Sequence, residues 1–182
     1  MSHNILKHSM VYLSGCIDYC ENGGVKWRKE ITPMLKELGV GVLDPTNKPC
    51  PVHKEDENFR NEIARLKNIG NFEEVRRQMK DIVGFDLRMV DYSTFLIAKV
   101  DPDITMTGTI WELAYAVQQH KPILLFCDKG VEKIQNWLYG TLDYKYFFNS
   151  LSEVVAYLRQ VNDGFVKVDY RRWKFLDFSK IF

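Results

Sequence analysis

An α/β fold, with a parallel sheet covered by helices on both faces, is what this 182-residue sequence predicts. Three observations carry that expectation. Short apolar runs recur along the chain. Stretches of helical period separate them, and such alternation builds a parallel sheet with right-handed crossovers. The runs end in small or acidic residues, such as Ser14-Gly15 and Asp44-Pro45, which stop a strand at the edge where open α/β sheets bind ligands.

Met10-Val11-Tyr12-Leu13 reads as the first strand, a continuous apolar run suited to burial. After Ser14-Gly15 a loop runs through Gly23-Gly24 into a helix over about 25–38. Trp27, Ile31, Met34, Leu35 and Leu38 fall there at core spacing. Pro33 inside that span predicts a kink or a later start, and Gly39 suits the C-terminal cap. Residues 40–43 form the second strand, stopped by Asp44-Pro45. Residues 46–71 are a polar excursion holding Pro49, Pro51 and His53, with a short helix around 58–67. A longer helix covers 72–92 and turns Val75, Met79, Ile82 and Val83 inward; Gly84 weakens it by about 1 kcal/mol.

The third strand is expected at 94–100 and the fourth at 122–127, with an acid-rich loop and a helix to about His120 between them. Two further helices are expected at 131–139 and 150–161. Ser150 caps the second, with Glu153 completing a capping box. The tail beyond residue 164 mixes aromatics with Arg171, Arg172 and Lys174, and is read as an edge strand that then wraps the body. The whole is one flavodoxin/Rossmann-like domain over 1–182, with a polar insertion at about 46–71 and a C-terminal extension at about 164–182.

Composition narrows the function classes. The length suits one domain with a real core, and 46% hydrophobic with 27% charged residues is an ordinary globular balance. A net charge of +1 leaves no broad footprint for nucleic acid or a membrane surface. The basic residues mix with acids, as in Lys26-Trp27-Arg28-Lys29-Glu30, which reads as a solvated helix face; Arg28 is read as a charge on that face, with contact to the Ser14-Gly15 loop as the alternative. No apolar run reaches the length of a membrane span, and the N-terminus lacks a secretory pattern. A reducing cytoplasm is therefore expected. Of the four cysteines, Cys127 reads as core; Cys16 and Cys20 lack a second matching pair, so no metal site is expected from them or Cys50.

The segment Thr107-Gly108-Thr109-Ile110-Trp111-Glu112-Leu113-Ala114-Tyr115-Ala116 concentrates the chemistry. It sets Glu112 in the first turn of a helix that follows an apolar strand and a small-residue turn. An acid in a first turn is ordinarily a charge that complements the helix dipole, worth about 0.3–1 kcal/mol. The acids around it argue for more: Asp86 and Asp91 precede the third strand, and Asp101 and Asp103 follow it. Several carboxyls meeting at one sheet edge suit a site with divided acid and nucleophile roles. Asp91 reads as a surface carboxylate, Trp27 and Trp111 as core, and His53 and His120 have no partner pattern.

The chain resembles the nucleoside 2-deoxyribosyltransferase family and its nucleotide N-hydrolase relatives. The resemblance runs through Tyr12-Leu13-Ser14-Gly15, Asp44-Pro45, the stretch from Asp86 to Ser93, and the stretch from Gly108 to Ala116 followed by Lys121-Pro122-Ile123. It implies that Glu112 attacks the anomeric carbon of a deoxyribosyl group, that Asp86 protonates the departing base, and that Tyr12 holds the glutamate or lines the pocket. It further implies substrate contacts from Ser14, Gly15, Asp44, Asp103, Gly108 and Thr109, no metal or redox cofactor, and a homo-oligomer. The sequence departs from the family at Met106, where transferases carry an aspartate and nucleotide hydrolases often a serine. The expected reaction is cleavage or transfer at the N-glycosidic bond of a 2′-deoxynucleoside or its 5′-monophosphate. An NAD-cleaving glycohydrolase and a non-catalytic nucleotide-binding module of the same fold stand as alternatives.

Overall fold

A computed structural model describes residues 4–48 and 55–166. Five strands form one sheet: β1 (Met10–Gly15), β2 (Gly41–Leu43), β3 (Phe95–Lys99), β4 (Ile123–Phe126) and β5 (Phe147–Phe148). Their spatial order is β2-β1-β3-β4-β5, and every pairing is parallel. That is the flavodoxin-like order, whose strand sequence reverses between β1 and β3. The helices are α1 (Val25–Glu37), α2 (Glu57–Asn68), α3 (Phe72–Tyr92), α4 (Thr107–Gln118), α5 (Asn136–Thr141) and α6 (Leu151–Asn162).

The core divides across the sheet because successive strand residues point to opposite faces. Val11 and Leu13 of β1 join Trp27, Ile31 and Leu35 of α1 and Val154, Val155 and Leu158 of α6. Tyr12 points the other way and joins Met89 and Val90 of α3 and Leu113 and Ala116 of α4. With both faces covered, β3 is apolar as far as Ala98 and β4 throughout, rather than alternating, and all of β4 is buried.

Most expected elements appear near their expected bounds, and the exceptions have physical reasons. Pro33 neither breaks α1 nor delays it. Pro33 and Lys29, whose carbonyl loses its helical donor, both sit on the exposed face, where water is available. The expected helix at 131–139 is instead a 3-10 turn at Val131–Lys133 and the short α5. Ile134 between them is extended and buried, so burying it interrupts the helix. Val83 does not turn inward; it is half exposed, and Asp86 takes a buried position on α3. Ser150 caps α6 at Glu153 N–H, 3.3 Å, but the Glu153 carboxylate reaches past the cap to accept from Asn149 N–H at 2.8 Å. The fifth strand comes from Phe147–Phe148, not from the tail, most of which lies outside the described residues, as do Cys50 and His53. Among the described residues no helix is long and apolar enough to cross a membrane.

Candidate active site

At the carboxyl end of the sheet, beside the β1–β3 reversal, lies a cavity of about 570 Å³. The end of β1 and its loop (Gly15, Cys16, Ile17, Asp18, Tyr19) form one wall. The wall opposite includes Met79, Ile82, Asp86 and Leu87 of α3, with Glu55 beside them. Residues Thr105–Thr109, with Trp111 and Glu112 of α4, close it.

Glu112 is the sixth residue of α4, so it lies beyond the first turn, and that turn holds no acid at all. The helix dipole therefore does not account for it. Its partners come from the sheet. Tyr12 and Ser14 share one face of β1 because they are two residues apart, and that face looks onto α4. Tyr12 Oη donates to Glu112 Oε1 at 2.8 Å, and Ser14 Oγ donates to Oε2 at 2.5 Å. Both hydroxyl residues are fully buried, so the two donors are held by the sheet rather than by a flexible loop. Each carboxylate oxygen keeps acceptor capacity beyond its one donor.

Electrostatics set the two carboxyls apart from ordinary surface acids. Burial pushes the Glu112 carboxyl up to about 7; the Ser14 and Tyr12 hydroxyls oppose that shift, and nearby Asp86 adds to it. Burial raises Asp86 to about 6 against the pull of the Lys48 ammonium. The Tyr12 hydroxyl is held well above its usual range by burial and by Glu112. Around neutrality the two carboxyls share roughly one proton, and their titrations belong to the pair. Two fixed O–H donors favour the ionised form of Glu112, but burial outweighs them and leaves its carboxyl the higher of the two.

Several residues stand elsewhere than expected. Gly15, Gly108 and Thr109 line the cavity with Glu112 and Asp86, whereas Asp44 and Asp103 do not. Asp44 accepts from Thr46 N–H at 2.8 Å and caps a 3-10 turn, the ordinary work of an aspartate before proline. Asp103 and Asp101 hold Lys129 at 2.7 and 2.5 Å. Trp111 is not core; it is exposed at the cavity rim. Met106 is buried between this cavity and a neighbouring one, and its sulfur accepts the Asp101 N–H. Cys127 is buried, while Cys16 and Cys20 are half-buried thiols beside the β1 loop. Among the described residues no group of His, Cys, Asp and Glu is arranged to hold a metal.

Of two further residues, Arg28 takes the alternative reading over the preferred surface one, and Lys48 went unread in the sequence. Arg28 is fully buried, not a surface charge. Its Nε donates to Leu13 O at 3.1 Å, Nη2 to Gly15 O at 2.9 Å and Nη1 to Gly24 O at 3.0 Å. Strand β2 pairs with β1 only as far as Tyr12. Beyond it the carbonyls of Leu13 and Gly15 point toward a strand that has ended, and the guanidinium takes that strand's place. Gly24 (φ 66°) lets the loop close over it, since a Cβ there would lie 2.4 Å from Cys16 O. The other residue is Lys48, buried after β2, with Asp86 Oδ1 and Glu55 Oε1 each at 2.8 Å.

Fold and geometry together place two carboxyls on one cavity at the reversal point of a flavodoxin-like sheet. The family model described as nucleoside 2-deoxyribosyltransferase matches residues 11–140. The chain therefore belongs to the nucleoside 2-deoxyribosyltransferase family, enzymes that act on the N-glycosidic bond. Among solved structures it is similar to a 2-deoxyribosyltransferase from Bacillus psychrosaccharolyticus, at 21% identity over 82% of this chain and 96% of that one, with a TM-score of 0.56. A 2-desoxiribosyltransferase from Leishmania mexicana aligns at 18% identity over 82% and 95% of the two chains, TM-score 0.50. A CMP N-glycosidase from Clostridium botulinum aligns at 15% identity over 84% and 99%, TM-score 0.49. At such identities the likeness to the first two shows the fold. No curated protein matches the chain by sequence.

Proposed function

We propose that the protein cleaves or exchanges the base of a 2′-deoxynucleoside, or of its 5′-monophosphate, through a glycosyl ester on Glu112. The observation that carries this reading is that Glu112 and Asp86 line the same cavity. Glu112, oriented by Tyr12 and Ser14, attacks the anomeric carbon from one side. The carbon–nitrogen bond breaks, its electron pair leaves with the base, and Asp86 supplies the proton that neutralises it. Water or a second base then attacks the same carbon, Asp86 takes up the proton lost by that nucleophile where one is lost, and Glu112 is released. One ionised and one protonated carboxyl meet the opposite charges that develop on sugar and base, as in retaining glycosidases.

The test is to incubate the protein with deoxynucleosides, their 5′-monophosphates and NAD, each with and without a free acceptor base, and to follow base release. Release from a deoxy substrate and not from NAD is the expected result; nicotinamide release alone would replace this reading with NAD cleavage, and no product from any would leave a binding module. A mass increase on the peptide containing Glu112, equal to a deoxyribosyl group, reports the intermediate directly.

The pH dependence follows from the pair. Below about 6 both carboxyls carry protons and no nucleophile is present; above about 7 both are ionised and no proton donor remains. kcat/KM is expected to follow a bell with its maximum between those values. A profile still rising at pH 9 would contradict the assigned acid. Tyr12→Phe removes one fixed donor from Glu112 while keeping the ring in the core. Turnover should fall ~10²-fold, by analogy with loss of one preorganised donor. Unfolding stability should change by about 1 kcal/mol, read from urea melts.

A further inference from the structure

We propose that Lys48 and Glu55 are positioning residues that set the proton affinity of Asp86, Lys48 lowering it and Glu55 limiting how far Lys48 can do so. This rests on the reading of Asp86 as the acid that protonates the leaving base. The geometry is one buried ammonium between two carboxylates, Asp86 Oδ1 and Glu55 Oε1, each 2.8 Å from Nζ. The Lys48 side chain is 1% exposed and lies 5.8 Å from the centre of the Phe85 ring.

A lone ammonium at that distance would keep Asp86 ionised, because an opposite charge within about 4–6 Å lowers a carboxyl pKa by roughly 1–3 units. An acid so fixed has no proton to give at neutral pH. Burial already favours a protonated Asp86, and Glu55 adds to it: Glu55 accepts the ammonium's hydrogen bond, divides its field with Asp86, and brings a like charge beside it. The cluster of three then carries one charge too many for a buried site, and a proton on Asp86 relieves it. Burial draws the Lys48 ammonium down, but Asp86 and Glu55 more than reverse this and hold it charged. Glu55 itself is fixed in place. Arg60 Nη1 donates to its carbonyl at 3.0 Å, and the adjacent Asp56 caps α2 at Phe59 N–H.

The other charged or titratable groups around Asp86 come from separate elements: Arg28 of α1, Glu112 of α4 and Tyr12 of β1. None of them contacts Lys48 in a described hydrogen bond or ion pair. Lys48 and Glu55 are therefore the pair through which Asp86 is adjusted without disturbing the Glu112 donors.

The experiment compares Glu55→Gln and Lys48→Met with the parent chain. The carboxyl carbon of Asp86 is followed by NMR across pH, its signal assigned by loss in Asp86→Asn. Glu55→Gln is expected to lower the Asp86 midpoint by about one pH unit, and Lys48→Met to raise it by a similar amount. The falling limb of the kcat/KM profile should move the same way in each, so Glu55→Gln loses about 10-fold well above that limb. A general loosening of the site would move both variants in one direction, so opposite shifts are the signature. An unchanged or raised midpoint in Glu55→Gln overturns the proposal, and that variant decides alone if Lys48→Met does not fold. Opposed midpoints without turnover on any deoxy substrate would remove the proposed function and leave the tuning standing. Turnover with unmoved midpoints would do the reverse.

Discussion

Replacing Glu112 by alanine is expected to abolish base release, by ~10⁴-fold or more for loss of a nucleophile, while the chain stays folded. The second half of that expectation comes from where the carboxyl sits. Burial pushes it up to about 7, so the folded chain holds its proton more tightly than the unfolded chain does. The sign follows from linkage: a glutamate with a raised folded pKa adds stability below its unfolded value, and that stability drains away as pH rises toward about 7. Removing the side chain removes this slope. Against that, the Tyr12 and Ser14 hydroxyls lose their acceptor, a cost of about 1–3 kcal/mol if no water replaces it. Urea melts across pH 4 to 9 should show Glu112→Gln, which keeps an acceptor, with a flatter pH dependence than the parent. Base release that survives in Glu112→Ala, in a protein with an unchanged melt, would end the nucleophile assignment.

Replacing Arg28 by methionine is expected to have the largest effect on folding, about 3–5 kcal/mol. Three backbone carbonyls lose a donor, those of Leu13 and Gly15 in the buried interior and that of Gly24 in a part-buried position. Burial pulls the guanidinium's proton affinity down, and Asp44, at 3.7 Å from Nε, is first among the groups that hold it charged. Arg28→Lys should recover little, since a point charge cannot reach three carbonyls from one planar fork. The measurement is the denaturant midpoint. A methionine variant within 1 kcal/mol of the parent would show that the β1 end does not need its substitute strand. Because Ser14 lies between the two clamped carbonyls, the same variant should lose turnover even under conditions where it remains folded.

Much of the fold was legible from periodicity. The strands at β1, β3 and β4 are apolar runs with clear ends, and α3 was bounded at Phe72 and Tyr92 by pattern alone. The strand β5 was not, because two residues carry no period; only hydrogen bonding to β4 makes Phe147–Phe148 a strand. Glu112 and Asp86 stood out as acids near strand ends, and both line one cavity. The donors to Glu112 were half legible: Tyr12 and Ser14 share a face by alternation, yet nothing local says which helix that face meets. Lys48 was not legible at all, and Arg28 only as a residue within reach of the Ser14-Gly15 loop, behind the preferred surface reading. Each sits in a polar stretch that looks solvated, and each is buried by a partner distant in the chain.

The order of apolar runs, their lengths and their stopping residues determined by themselves that this chain forms a parallel α/β sheet with acids gathered at its carboxyl edge. These are local matters, settled by which residues repeat at 2.0 or 3.6 and which end a repeat. The tertiary structure alone decided which charges leave water. Strand β2 ends early and so makes room for the Arg28 guanidinium, and the approach of Lys48 and Glu55 to α3 surrounds Asp86. Burial and the distance between charges fix the protonation of a carboxyl, and neither quantity exists until the chain has closed on itself.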